Sequence, residues 1–339
     1  MKTALIHSDA WTRFDYGEHH PLRMERLGLT WRLMEAYALT SLAGATVEAP
    51  EAATESALAV YHDTEYLQAL KASNSGRAPD VAAYFGLGPG DNPVFPGLWD
   101  AARLCAAGSL LAADLILEDQ ADRVFHFAGG LHHAMPARAS GFCYVNDAVL
   151  AILRLREKGL RVLYVDIDAH HGDGVQHAFY GDPLVMTIST HERGEYLFPG
   201  TGFVDEAGTG KGVGYSGNMP LEPFTDSSVF LPALEQGGPP LFAEVLPDGV
   251  GAQRRVGAHH ARRADAAVRA AAHRALGAEA AIGAAIAHAL RDDERTLGAL
   301  LDLALEQHVV IERAGVVLVL VDDHLRARDL ELEARNAAD

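Results

Sequence analysis

The sequence predicts an α/β fold built on a parallel sheet, with its chemistry at the carboxyl edge of the strands. Three observations carry that expectation. Short apolar, β-branched runs alternate with longer segments of helical spacing, a pattern that implies right-handed crossovers between parallel strands. Residues 161–177 read RVLYVDIDAHHGDGVQH, a buried-strand pattern that ends in Asp166, Asp168, His170, His171 and Asp173. A second strand pattern, DRVFHF at 122–127, runs into GGLHH at 129–133. Two strand ends thus bring acids and histidines to one edge, where α/β folds place their sites.

In chain order, residues 2–7 alternate as a first strand. HPLRMERL (20–27) then starts a helix, with Pro21 in its first turn. Leu27, Trp31, Leu33, Met34 and Tyr37 continue it at near-helical spacing. YHDTEYL (61–67) opens another short helix, and GLGPGDNPVFPG (86–97) is a loop with Asp91 at its middle. A long amphipathic helix spans 98–117, the DRVFHF strand follows, and a helix from about 146 to 158 returns to the central strand. That strand, 162–167, is apolar enough to be buried on both faces, and Gly172 and Gly174 let the backbone turn after it. Residues 184–190 form a third strand, followed by the YLFPGTG loop (196–202) and the strand GYSGNMPL (214–221). Buried carboxylates without partners are costly, so Asp166 and Asp168 need charged or hydrogen-bonding company. Alternation along an extended chain places Asp166, Asp168 and His170 on one side and turns the adjacent His132 and His133 opposite ways.

At 339 residues and 49% hydrophobic, the chain can bury the core of one large α/β domain or two smaller ones. The formal net charge of -18 argues against a general nucleic-acid or anionic-membrane binder. It leaves room for a cationic partner such as a lysine-bearing peptide or a polyamine. Cys105 and Cys143 are too few for a disulfide framework, which suits a reducing cytoplasm. The start, MKTALIHSDAWTRFDYG, lacks the apolar core of a signal peptide, and no run approaches the length of a membrane span. A cytoplasmic protein is expected.

Eight motifs occur in order: HPLRMERL, YHDTEYL, GLGPGDNPVFPG, GGLHHA, SGFCYVNDA, VDIDAHHGDGVQ, FPGTG and GYSGNMPL. Together, over residues 1–245, they resemble the zinc-dependent histone deacetylase family, in particular its bacterial acetoin-utilisation branch. The resemblance implies an arginase/deacetylase-like three-layer fold, with a central eight-stranded parallel sheet and helices on both faces. It implies hydrolysis of an N-acetyl amide on lysine, or on a small acetylated amine, releasing acetate. By the same resemblance Asp168 and His170 are two of three zinc ligands, and His133 is the general base and acid. His132 assists it electrostatically, and Asp166 and Asp173 orient His132 and His133. Phe142 and Phe198 wall the acyl-lysine tunnel with Gly141, and Asp91 accepts hydrogen bonds from the substrate backbone at its rim. The backbone carbonyls of Asp166, Asp168, His170 and Thr190, with Ser189, form a monovalent-cation (K+) site behind the zinc.

The pattern breaks toward the C-terminus. The family's third zinc ligand is an aspartate in a Gly-Ala-Asp-x-His-x-x-Asp-Pro-Leu type motif, and its oxyanion donor is a tyrosine in a Gly-Gly-Gly-Tyr turn. Residues 248–274 instead read DGVGAQRRVGAHHARRADAAVRAAAHR, with Asp265 the nearest acid, and Tyr215 is the last tyrosine. Residues 246–339 therefore read as a divergent or frame-slipped part of a single 1–339 domain. Their alanine content favours a helix over 264–290, and strand patterns return only at 311–321. Two other functions compete. A binuclear manganese ureohydrolase of the arginase kind would need Asp-Ala-His-x-Asp, and the spacing from Asp168 to Asp173 is one residue too long. A non-catalytic or defective member would account for the missing aspartate and tyrosine.

Overall fold

The computed structural model of the protein describes residues 2–226, 228–230, 232–233, 310–312 and 317–321. The helix expected over 264–290, residues 248–274 and with them Asp265 lie outside the described residues. The strands are β1 (Thr3–Ile6), β2 (Ala45–Glu48), β3 (Arg123–His126), β4 (Val162–Asp166), β5 (Val185–Glu192), β6 (Ser216–Leu221), β7 (Val310–Glu312) and β8 (Val317–Val321). They join one eight-stranded sheet in the order β2-β1-β3-β7-β8-β4-β5-β6. The pairings are parallel except where β8 runs antiparallel to both β7 and β4. This departs from the all-parallel sheet that the resemblance implied. Four residues, 313–316, separate β7 from β8, and a parallel return needs a crossover of roughly a dozen residues or more.

The helices are α1 (Glu25–Ala36), α2 (Glu55–Leu58), α3 (Thr64–Ala72), α4 (Leu98–Leu117), α5 (Asp147–Arg156) and α6 (Asp173–Phe179). They cover the sheet in two hydrophobic clusters. One gathers Leu5, Ile6, Trp11, Val124, Ile152, Val162 and Val185 around β1, β3, β4, β5 and α5. The other packs Leu58, Tyr66, Leu70, Phe85, Leu98, Trp99 and Tyr144 beneath α3 and the 86–97 loop. Helix α4 serves both, with Ala102, Ala106 and Ala107 in one cluster and Ala112, Ala113 and Leu115 in the other. Its many alanines favour helix intrinsically and let neighbours approach closely. Among the described residues no helix is long and apolar enough to cross a membrane.

Helix α4 spans the expected residues, whereas α1 starts four residues after Pro21, which lies in the preceding loop. Strand β2 has no counterpart in the sequence reading, because a four-residue, half-exposed edge strand carries too few apolar positions to announce itself. Strand β4 stops at Asp166 instead of Ile167, and β5 runs on to Glu192. The early stop of β4 matters for the site.

Candidate active site

Beyond Asp166 the chain makes two successive turns closed by its own carboxylates. The Asp168 N–H donates to Asp166 Oδ1 at 3.0 Å, and the His170 N–H donates to Asp168 Oδ1 at 2.8 Å. Asp and Asn side chains favour such local turns over continued strand. The extended alternation expected for Asp166, Asp168 and His170 is therefore replaced by a compact turn. Fully buried Asp166 faces back into the protein, whereas the side chains of Asp168 and His170 are 18% and 40% exposed.

His132 and His133 stand on the irregular segment after β3, and they converge: their Nε2 atoms lie 3.0 Å apart. The opposite orientations expected of an extended backbone do not hold, since 129–134 is not a strand. The first residue of α5 and the residue before it fix that segment. Asn146 Nδ2 donates to the carbonyls of His132 (3.0 Å) and Ala134 (3.1 Å), while its Oδ1 accepts the Val149 N–H and so caps the helix. Asp147 accepts the N–H groups of Leu131 and Gly130 at 2.8 and 3.1 Å, and the Ser109 hydroxyl at 2.6 Å.

Each histidine has its own carboxylate. His132 Nδ1–H donates to Asp166 Oδ2 at 2.6 Å, and the same oxygen accepts the Tyr164 hydroxyl at 2.6 Å. His133 Nδ1–H donates to Asp173 Oδ1, also at 2.6 Å. Burial works against charge on both imidazoles, but for His132 the Asp166 carboxylate outweighs it and raises the pKa to about 9. For His133 burial and the neighbouring His132 charge prevail over Asp173 and lower it to about 4. Burial also opposes the Asp166 charge, yet His132, Tyr164 and the Asp168 N–H hold its carboxyl down at about 2.

Asp168 Oδ1 and His170 Nδ1 face one another at 2.9 Å. A carboxylate oxygen and an imidazole nitrogen that converge at this half-exposed turn are donors of the kind zinc takes, and they supply two of the three protein ligands of a hydrolytic zinc site. The Phe198 ring meets His133 edge-on with centroids 5.0 Å apart, and His170 lies 6.4 Å away. Gly141, at φ +51°, passes so close that a Cβ there would overlap His133 and stand 2.9 Å from Phe198 Cε1.

The remaining expected residues lie around this centre. Phe142 takes φ +70°, and its ring packs against His20 at 4.6 Å while Tyr16 OH donates to its carbonyl at 3.2 Å. Asp91 is exposed, and its carbonyl accepts from His20 Nε2 at 3.1 Å, so His20 links the Asp91 loop to Phe142. Ser189 pairs with Asp166 in the β4–β5 register, and Thr190 beside it is buried.

Sequence reasoning missed several supports. His171 Nδ1 lies 2.8 Å from Thr201 Oγ1, and His191 Nε2–H donates to the Gly202 carbonyl at 3.0 Å, so both hold the loop that carries Phe198. Tyr164, Asn146, Asp147 and His20 were also unassigned. Asn146 and Asp147 sat in a quoted motif, VNDA before a helix, where an N-cap was readable but its grip on a distant loop was not.

The histone deacetylase domain model matches residues 20–260. The acetoin utilization protein AcuC of Bacillus subtilis is 40% identical over 260 residues, which is 76% of this chain and 67% of that protein. A crystal structure of an HDAC homolog from Aquifex aeolicus superposes with a TM-score of 0.65 at 35% identity, over 70% of this chain and 63% of that one. An HDAC homolog complexed with SAHA gives a TM-score of 0.67 at 34% identity, over 72% and 66% of the two chains. The chain thus spans about two thirds of the length of these relatives. With a matched domain over most of its length and the paired histidines, carboxylates and FPGTG loop in place, the chain belongs to the histone deacetylase family.

Proposed function

We propose that this protein is a zinc-dependent deacetylase that hydrolyses the acetyl amide of acetyl-lysine, or of a similar small acetylated amine, to acetate and free amine. The observation that carries the reading is the His132–His133 pair, with a carboxylate behind each ring, set against Asp168 and His170. Zinc held by Asp168 and His170 would polarise the acetyl carbonyl and acidify a water.

Neutral His133 takes the proton of the attacking water at Nε2 and later delivers it to the leaving amine nitrogen. Asp173 fixes its tautomer by accepting the Nδ1 proton. Protonated His132, held by Asp166, stabilises the negative charge that develops on the acetyl oxygen. Phe198, Phe142 and Gly141 line a narrow apolar slot that suits the methylene stem of a lysine, and Asp91 at its rim accepts hydrogen bonds from a peptide backbone. The carbonyls of Asp166, Asp168, His170 and Thr190, with Ser189, are assigned to a K+ ion. Residues 1–339 are read as one domain whose part beyond 245 departs from the family, and the cytoplasm as its compartment.

Purified protein is assayed with a fluorogenic acetyl-lysine peptide, with and without added zinc. The expected result is zinc-stimulated turnover that SAHA inhibits and His133→Ala abolishes. Folded protein that binds less than one equivalent of zinc and shows no turnover would overturn the reading and favour a non-catalytic member.

A further inference from the structure

A second cluster with metal-ligand chemistry lies in the core, behind the segment that carries His132 and His133. Cys105 of α4, His126 at the end of β3 and Asp147 at the start of α5 bring one ligand atom each within 4.8 Å of one another. All three are buried, with His126 and Asp147 at 0% exposure and Cys105 at 7%.

The hydrogen bonds around them are those that ligands need. His126 Nε2 lies 3.3 Å from the Cys105 carbonyl, which can only accept, so Nε2 carries the proton. That leaves Nδ1 as a lone pair, and among the described residues the buried Nδ1 has no hydrogen-bond partner. A metal-bound histidine characteristically donates its other N–H to a carbonyl or carboxylate in this way. Burial keeps the ring neutral, lowering its pKa to about 4, and a neutral ring is the form that ligates. Asp147 is oriented by Leu131 N–H, Gly130 N–H and the Ser109 hydroxyl. Gly108 makes room for the imidazole, because a Cβ there would overlap the ring.

We propose that Cys105, His126 and Asp147 form a structural site for a divalent metal of borderline softness, zinc or cobalt(II), separate from the catalytic centre. Sulfur, nitrogen and oxygen donors in one buried set favour such ions over magnesium or calcium. Zinc bonds of about 2.0–2.3 Å require the ligand atoms to draw together by roughly 1 Å. Cys105 now donates its S–H to the Ala128 carbonyl at 2.8 Å, and on binding it releases that proton to solvent. The ion would tie α4, β3 and α5 together directly behind the paired histidines.

The test is a titration of the full, chelator-stripped chain with cobalt(II) chloride, read by absorption. A near-ultraviolet sulfur-to-cobalt charge-transfer band is expected. It should persist in His170→Ala, which removes a ligand of the catalytic centre, and vanish in Cys105→Ser. Since Cys105 is buried and its substitution risks misfolding, His126→Gln supplies a second arm: the thiol stays, and cobalt affinity should drop by at least about tenfold. Wild-type protein that binds cobalt without a sulfur band overturns the proposal. So does a band that survives Cys105→Ser, which would assign it to Cys143, the chain's other cysteine. Unchanged affinity in His126→Gln overturns it equally.

Discussion

His132 and His133 touch through their Nε2 atoms at 3.0 Å, yet they sit on opposite sides of neutrality, His132 raised to about 9 and His133 lowered to about 4. The difference lies in the balance around each ring: Asp166 outweighs burial at His132, whereas burial and the His132 charge outweigh Asp173 at His133. Neighbouring groups pushed apart in this way give a site a proton acceptor and a fixed positive charge at one pH.

Replacing Asp173 by Asn removes the charge that holds the His133 tautomer while preserving shape. Turnover of an acetyl-lysine peptide should fall about 100-fold or more, with the thermal melting curve unmoved. Full turnover in Asp173→Asn would sink the role given to that carboxylate.

Gly141→Ala should be worse than its size suggests. The added methyl meets His133 and Phe198 at once, and φ of +51° is strained for any residue with a Cβ. Both a higher KM and a lower kcat are expected, since the tunnel wall and the base move together. An unchanged KM would mean that Gly141 does not line the substrate path.

Asn146→Ala removes the cap of α5 and leaves the buried His132 and Ala134 carbonyls without that donor. A loss of about 2–4 kcal/mol is expected, measurable as a shift in the urea unfolding midpoint. A shift worth less than about 1 kcal/mol would show that water or a neighbour replaces the amide.

His62 couples the same region to acid. Its Nδ1–H donates to the Met135 and Pro136 carbonyls, and Nε2 accepts the Asn146 N–H at 3.0 Å. Burial lowers its pKa from 6.5 to about 4. As pH falls, the unfolded chain therefore takes up this proton first. The residue has no effect above about 6.5, and stability declines from there toward about 4 before levelling off. The slope contributed is at most about 1.4 kcal/mol per pH unit. Unfolding free energy measured from pH 7 to 4 should fall less steeply in His62→Gln than in the wild type, and parallel curves would rule the coupling out.

Much of this was legible in the chain. The buried strand that runs into Asp166, the doubled histidine after a strand and the Gly-Pro loops announce themselves through composition and spacing, because buried strands and tight turns admit few residue types. The convergence of His132 and His133 was not legible, since it depends on Asn146 and Asp147 gripping a segment more than ten residues upstream. Long-range hydrogen bonds leave no periodic trace. The turn after Asp166 misled for a related reason: its carboxylates double as backbone acceptors, so a run that reads as strand folds back on itself. The antiparallel β8 followed from a connection length that only the placement of β7 reveals.

The grip of Asn146 and Asp147 also bears on heat. Because the first turn of α5 and the paired histidines share their hydrogen bonds, the segment has no independent way to loosen. It should open only when the helix and the core beneath it open. Catalytic competence and the fold would then be lost in one transition on warming, without a temperature range in which an intact protein carries a softened centre.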